Sequence, residues 1–161
     1  MNLYPLLKLV HIVAVIIFLG NIITGLFWMK QADKTKDLNI ISFTIKGIRD
    51  SDRLFTIPGV IIILIGGFGA ALHNSIPLLK TGWIFWPIVL FSISGIAFGW
   101  KLAPLQKEIY KLTATAENES FDWGVYKRKL HEWEQWGLVA MLTPAIAVAM
   151  MVLKLPKQSI F

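Results

Sequence analysis

The sequence predicts an all-α fold: an integral membrane bundle of four transmembrane helices. Three observations carry this. Residues 9–29, 54–72, 81–100 and 135–153 contain no Asp, Glu, Lys or Arg, and runs of ~18 or more such residues can cross a hydrocarbon core of roughly 30 Å at 1.5 Å per residue. Of the 161 residues 55% are hydrophobic and only 16% charged, against about 25% charged in soluble domains. Tryptophans sit at the ends of the runs as interfacial belts do: Trp28, Trp100, Trp133 and Trp136 on one side, Trp83 and Trp86 on the other.

Helix one is expected over about Tyr4 to Trp28. Its apolar core is too long for a cleaved signal peptide, and no small-x-small site precedes Trp28-Met29-Lys30. Helix two is expected from about Phe55 to Leu72, with Pro58 in its first turn, where a missing N–H is tolerated. Helix three begins near Gly82 and reaches at least Trp100. Leu105, Ile109 and Leu112 continue a helical pattern after Pro104, so it is expected to run past the bilayer. Helix four covers about His131 to Leu153, with a kink expected at Pro144. The short connection from His73 to Thr81 predicts that helices two and three are antiparallel neighbours. Between Lys34 and Asp52, Leu38, Ile41, Ile45 and Ile48 recur at helical spacing, which predicts a short interfacial amphipathic helix between helices one and two. The polar stretch Thr113–Ser120 is expected to be a loop. No repeat divides the chain, and residues 1–161 form one transmembrane four-helix bundle domain.

Twelve basic residues fall in the two long connections (Lys30, Lys34, Lys36, Lys46, Arg49, Arg53 and Lys101, Lys107, Lys111, Lys127, Arg128, Lys129), and four lie elsewhere (Lys8, Lys80, Lys154, Lys157). The positive-inside rule then places residues 30–53 and 101–130 in the cytoplasm and both termini outside, in a bacterial inner membrane. The net charge of +6 belongs to residues that flank apolar spans. It points to an anionic lipid bilayer as partner and not to nucleic acid. The absence of cysteine excludes disulfides, thiolate-bound zinc and iron–sulfur clusters.

Polar groups inside hydrocarbon are costly and mark candidate sites. On helix one, His11, Ala14, Phe18, Asn21 and Gly25 fall within about 80° on a helical wheel, a face directed at the bundle interior. His11 reads either as an axial metal or haem ligand or as an interhelical hydrogen-bond donor. Helix two repeats Gly59, Gly66 and His73 every seven residues. Such a groove takes a flat macrocycle or, more often, another helix. His73 lies at the helix end, roughly 9 Å shallower than His11, so a bis-histidine site is not assumed. Gly95 and Gly99, with Ser92 on the same face, form a small-xxx-small motif that suits close packing within the bundle or across a homodimer. Asp52, Arg53, Lys101, His131, Glu132 and Glu134 gather at helix ends, as a proton-handling cluster or as solvated ion pairs. No nucleophile–base pattern, phosphate loop or carboxylate pair lies in the spans, and whether the protein is an enzyme stays open.

Leu7-Lys8-Leu9-Val10-His11-Ile12, Ser51-Asp52-Arg53-Leu54-Phe55-Thr56-Ile57-Pro58-Gly59-Val60, the stretch from Gly82-Trp83 through Leu90–Gly95 to Ala103-Pro104-Leu105-Gln106, and Trp133-Glu134-Gln135-Trp136-Gly137 together resemble an uncharacterised bacterial family of predicted integral membrane proteins. That family has a Phe-Thr-x-Pro-Gly-Val helix start and a Val-Pro-Leu-Gln helix end, and the resemblance implies no activity. Val10-His11-Ile12 and Thr56-Ile57-Pro58-Gly59 more distantly resemble the HemJ-type protoporphyrinogen IX oxidases and the CopD copper-resistance membrane domain. This implies haem contact at His11. Pro87 stands four residues after Trp83 where the HemJ type has lysine, so the resemblance does not extend to porphyrinogen oxidation.

The leading expectation is thus a b-type haem (haem b) on His11, the metal ligand. Asn21, Gly59, Gly66 and His73 complete the cofactor site of a bundle that handles electrons or haem. The alternative is a cofactor-free packing, assembly or small-molecule-passage protein. Copper handling is a third reading, with Met29, Met141, Met150 and Met151 as sulfur donors that do not cluster with His11.

Overall fold

The computed structural model describes residues 3–115 and 121–158. The described residues are helical throughout, apart from short connections and one isolated bridge between Thr81 and Gln158. The helices are α1 (Tyr4–Thr35), α2 (Leu38–Ser51), α3 (Ile57–His73), α4 (Gly82–Ala97), α5 (Ala103–Ala114) and α6 (Trp123–Leu153). Wider π-helical turns, Asp52–Thr56 and Phe98–Leu102, join α2 to α3 and α4 to α5. Four continuous helices result, Tyr4–Thr35, Leu38–His73, Gly82–Ala114 and Trp123–Leu153, each long and apolar enough to cross a membrane. Of the expected loop, residues 116–120 lie outside the described residues, and Thr113 and Ala114 belong to α5.

The two π turns share one cause. A proline ring clashes with the carbonyl four residues before it and offers no N–H. Pro58 and Pro104 both lie just beyond a π turn, and the residue before each closes the wide turn. The Ile57 N–H donates to the Asp52 carbonyl, and the Ala103 N–H to the Phe98 carbonyl. The helix therefore passes each proline unbroken. The α-helix of the second span starts at Ile57 with Pro58 in its first turn, close to the expected start near Phe55, and the π turn carries the chain into it from α2 without a break. Pro87 and Pro144 lie inside α4 and α6.

At 32 and 31 residues, α1 and α6 extend to roughly 47 Å, beyond a hydrocarbon core. Their excess length packs with α2 and α5 into a second layer around Met29, Ile41, Ile45, Ile109 and Tyr126, all fully buried. The face Leu38, Ile41, Ile45, Ile48 is buried as its spacing predicts. It packs against protein, however, and α2 runs straight on into α3. The segment is an extension of the bundle, where a separate helix lying on lipid was expected. Asp37 caps α2, accepting from the N–H groups of Asn39 and Ile40.

In the apolar half the helices sort into two pairs, α1 with α3 and α4 with α6. Among the described residues the backbones of α3 and α4 do not approach as closely as those of either pair, with no Cα of one within 8 Å of a Cα of the other. The short His73–Thr81 connection thus does not give them the close backbone approach of the α1–α3 and α4–α6 pairs; helix packing in lipid follows small residues and hydrogen bonds. Gly66 shows what holds α1 to α3, since a Cβ there would lie 3.1 Å from the His11 Cβ and 3.2 Å from its Cα.

Candidate functional site

A cavity of about 250 Å³ opens between the two helix pairs. Its apolar wall includes Phe18, Val60, Ile61 and Phe91, and the rings of Phe18 and Phe91 meet at 5.5 Å across it. Its polar wall is built on Asp52, the first residue of the first π turn, which is only 7% exposed. Asp52 Oδ1 accepts from Asn21 Nδ2 at 2.9 Å and from Thr56 Oγ1 at 2.7 Å, while Oδ2 accepts from Gln106 Nε2 at 2.9 Å. Asn21 Nδ2 also lies 2.9 Å from Thr56 Oγ1. Three donors from α1, the π turn and α5 thus surround one carboxylate, compensating the cost of burying it.

Each member follows from its local chain. Thr56 lies four residues after Asp52, on the same helix face. Asn21 lies on the inward face of α1 with Phe18 and Gly25, which also line the cavity. Gln106 sits in the first turn of α5, four residues past the end of the second π turn. Ser94 donates to the Ala140 carbonyl at 2.8 Å and ties α4 to α6 beside the cavity. Trp133 on α6 completes the wall. It is 3% exposed, and its buried indole N–H has no hydrogen-bond partner among the described residues. A buried donor without a partner costs about 1–3 kcal/mol, and Trp133 is one of the residues lining the cavity.

The sequence-predicted residues divide. Asn21 belongs to this site. His11, Gly59 and Gly66 belong to the α1–α3 contact. His11 Nδ1 lies 2.8 Å from the Ile63 carbonyl, so Nδ1–H is the donor and Nε2 keeps the lone pair. That tautomer suits an axial ligand. The glycine face, however, is filled by α1 itself: a Cβ on Gly59 would touch Phe18, and one on Gly67 would run into the His11 ring. The residues present therefore leave no room for a macrocycle between α1 and α3. A cavity of 250 Å³ is also small for one, compared with ~150 Å³ for a benzene site and ~300–1,000 Å³ for larger ligands. His73 is exposed at the end of α3, seven residues and roughly 10 Å beyond Gly66. Met29 is buried in the second layer, roughly 27 Å along α1 from His11. Among the described residues no three His, Cys, Asp or Glu side chains form a metal-binding group.

The charged residues expected to gather do not form one cluster. Arg53 pairs with Asp50 and Lys101 with Glu132, while His131 contacts Gln135. Asp52 stands apart in its network. Gly95 borders the cavity, and a Cβ on Gly95 or Gly99 would meet nothing within 4 Å.

Residues 5–155, nearly the whole chain, match the family described as "Predicted integral membrane protein (DUF2269)". The chain belongs to that family. It is a multi-pass integral membrane protein. Neither a curated protein nor a solved structure matches it.

Sequence reasoning missed Gln106 and assigned Asp52 to a surface ion cluster. The available signal was Asn21. An amide in the middle of an apolar helix needs a polar partner, and Asp52 and Thr56 begin the next span.

Proposed function

We propose that this DUF2269 protein is a cofactor-free bundle that takes a small apolar or amphipathic molecule from the bilayer into the cavity between its helix pairs, as a binding or passage site. One observation carries the reading: a largely apolar cavity opens between the helix pairs, lined by Phe18, Val60, Phe91 and Trp133, and the indole N–H of Trp133 has no hydrogen-bond partner among the described residues. In this reading the molecule enters from lipid past Ile61, which lines the cavity and is half exposed. The occupant offers an acceptor to Trp133 and hydrocarbon to Phe18, Val60 and Phe91. The Asp52 network holds α1, α3 and α5 in register around it. The basic α2–α5 end faces the cytoplasm of a bacterial inner membrane in this reading, with both termini outside.

The test uses lauryl alcohol carrying a diazirine near its chain end, photolysed with the protein in lipid vesicles. Adducts on Trp133 and Ala140, which are 3% and 2% exposed, support the proposal. Adducts confined to outward residues such as Ile65 and Ile96 overturn it.

A haem on His11 is a separate proposal, and it would have to lie outside the α1–α3 contact, which has no room for it. The Nδ1 hydrogen bond to Ile63, which leaves Nε2 free to ligate, is what favours it. A Soret band in protein purified from haem-replete cells, lost in His11→Ala, would establish it. Colourless protein would remove it. A homodimer through Gly95 and Gly99 is likewise a proposal, supported by the open space beyond both glycines.

A further inference from the structure

A second cavity of about 210 Å³ lies against the first, at the level of the two π turns. Asp52, Ile57, Phe98 and Gln106 line both cavities, so these four side chains are the partition between them. The two chambers differ in chemistry. The first is walled almost entirely by hydrocarbon. The second is rimmed by Arg49, Arg53 and Lys107.

From this juxtaposition we infer that the protein binds a single-chain amphiphile with an anionic headgroup, its chain in the apolar cavity and its headgroup among Arg49, Arg53 and Lys107. The inference rests on the cavity reading above and adds the ligand's charge and orientation. Three cationic side chains in one concavity complement a phosphate or carboxylate, and charge-assisted hydrogen bonds to such groups are the strong ones. The one acid in the chamber, Asp52, has both oxygens engaged by Asn21, Thr56 and Gln106. Arg49 is held by its stacking over Tyr110 at 5.1 Å. Among the described residues Arg53 is tied only to Asp50, at 3.5 Å in an exposed pair, the kind of contact an incoming anion displaces at little cost. At about 250 Å³ the apolar chamber exceeds a ~150 Å³ benzene cavity and suits one hydrocarbon chain. The partition residues Asp52 and Phe98 each open a π turn, a feature found often at functional sites.

The experiment compares lauryl phosphate with lauryl alcohol, each carrying a diazirine near the chain end, on the full-length protein in neutral-lipid vesicles. In the wild type the phosphate should label Trp133 and Ala140 at a concentration on the order of tenfold lower than the alcohol. The triple variant Arg49→Gln, Arg53→Gln, Lys107→Gln should bring the phosphate to the alcohol's level and leave labelling by the alcohol unchanged. Excess inorganic phosphate should not displace the probe, because it lacks the chain. Equal labelling by both probes in the wild type overturns the inference and leaves the apolar cavity reading standing. Phosphate labelling that ignores the triple variant, or that inorganic phosphate abolishes, overturns it as well. Absence of adducts on Trp133 and Ala140 with either probe removes both readings together.

Discussion

The two halves of this bundle are built by different forces. At the α2–α5 end, four helices close on a continuous core of Met29, Ile41, Ile45, Ile109, Tyr126, Leu130 and Trp133. Ion pairs at its rim join Lys127 to Asp33 at 2.6 Å and Lys129 to Glu108 at 2.5 Å. This is the construction of a soluble helical domain, in which burial of apolar surface from water drives packing. In the apolar half the separate buried cluster among the described residues is the smaller set Ala14, Phe18 and Ile63, with Val60 and Phe91 packed against it, and the helices stand as two close pairs with a cavity between them. Lipid is as apolar as leucine, so nothing forces those pairs together. They meet where small residues and hydrogen bonds allow. The packed end fixes the spacing of the helices, and the apolar half is left free to hold a ligand.

Substitutions can break this contrast. Ile109→Ala, at a fully buried position in the packed end, should cost about 2–5 kcal/mol, whereas Ile61→Ala, half exposed in the apolar half, should fall within about 0.5 kcal/mol of wild type. Unfolding in mixed micelles of increasing SDS fraction measures both, and equal losses would contradict the division. Asp52→Leu should cost about 3 kcal/mol, because it strands the donors of Asn21, Thr56 and Gln106 at the junction of the halves. In the same assay Gln106→Leu, which removes one donor, should cost less. A loss near zero for Asp52→Leu would mean that water satisfies the network. Gly66→Ala should cost about 1 kcal/mol or more, since the atoms in its way are the α1 backbone at 3.2 Å. Gly99→Ala, into open space, should be neutral or slightly stabilising, given alanine's better helix propensity. The smallest effect is expected for Lys129→Gln. Its pair with Glu108 is largely exposed, contributes at most about 1 kcal/mol, and should fade with added salt.

The same contrast explains what could be read from the sequence. The four charge-free runs locate the spans, and the spacing of Leu38, Ile41, Ile45 and Ile48 names a buried face, because each signal depends on local periodicity. The heptad spacing of Gly59 and Gly66 marks a close approach correctly and leaves open what approaches. The structure shows that it is His11 and α1. Which helices approach most closely was not legible: the loop after His73 is short, yet the close backbone pairs are α1 with α3 and α4 with α6. The continuity of α2 with α3 was hidden by Pro58, which reads as a helix start and is absorbed by a π turn. Asp52 was seen but misplaced, since a carboxylate beside Arg53 at a span boundary looks solvated. Its burial depends on Asn21 and Gln106, residues thirty-one and fifty-four positions away. Distant partners of that kind leave no periodic trace.

The central claim is that the space between the helix pairs is a ligand site and not a packing fault. Gly95 and Gly99 make the most direct test. A Cβ at either meets nothing within 4 Å, but of the two Gly95 lines the cavity. The measurement is photolabelling of Trp133 by the lauryl alcohol diazirine in Gly95→Leu and Gly99→Leu, with unfolding in SDS micelles and the oligomeric state in detergent followed in parallel. The account predicts that Gly95→Leu loses most of the Trp133 adduct at unchanged stability, and that Gly99→Leu keeps it. Equal Trp133 labelling in wild type, Gly95→Leu and Gly99→Leu would contradict it. So would loss of labelling in both variants together with dispersal of a dimer, which would make the glycine face a seam between two copies of the chain.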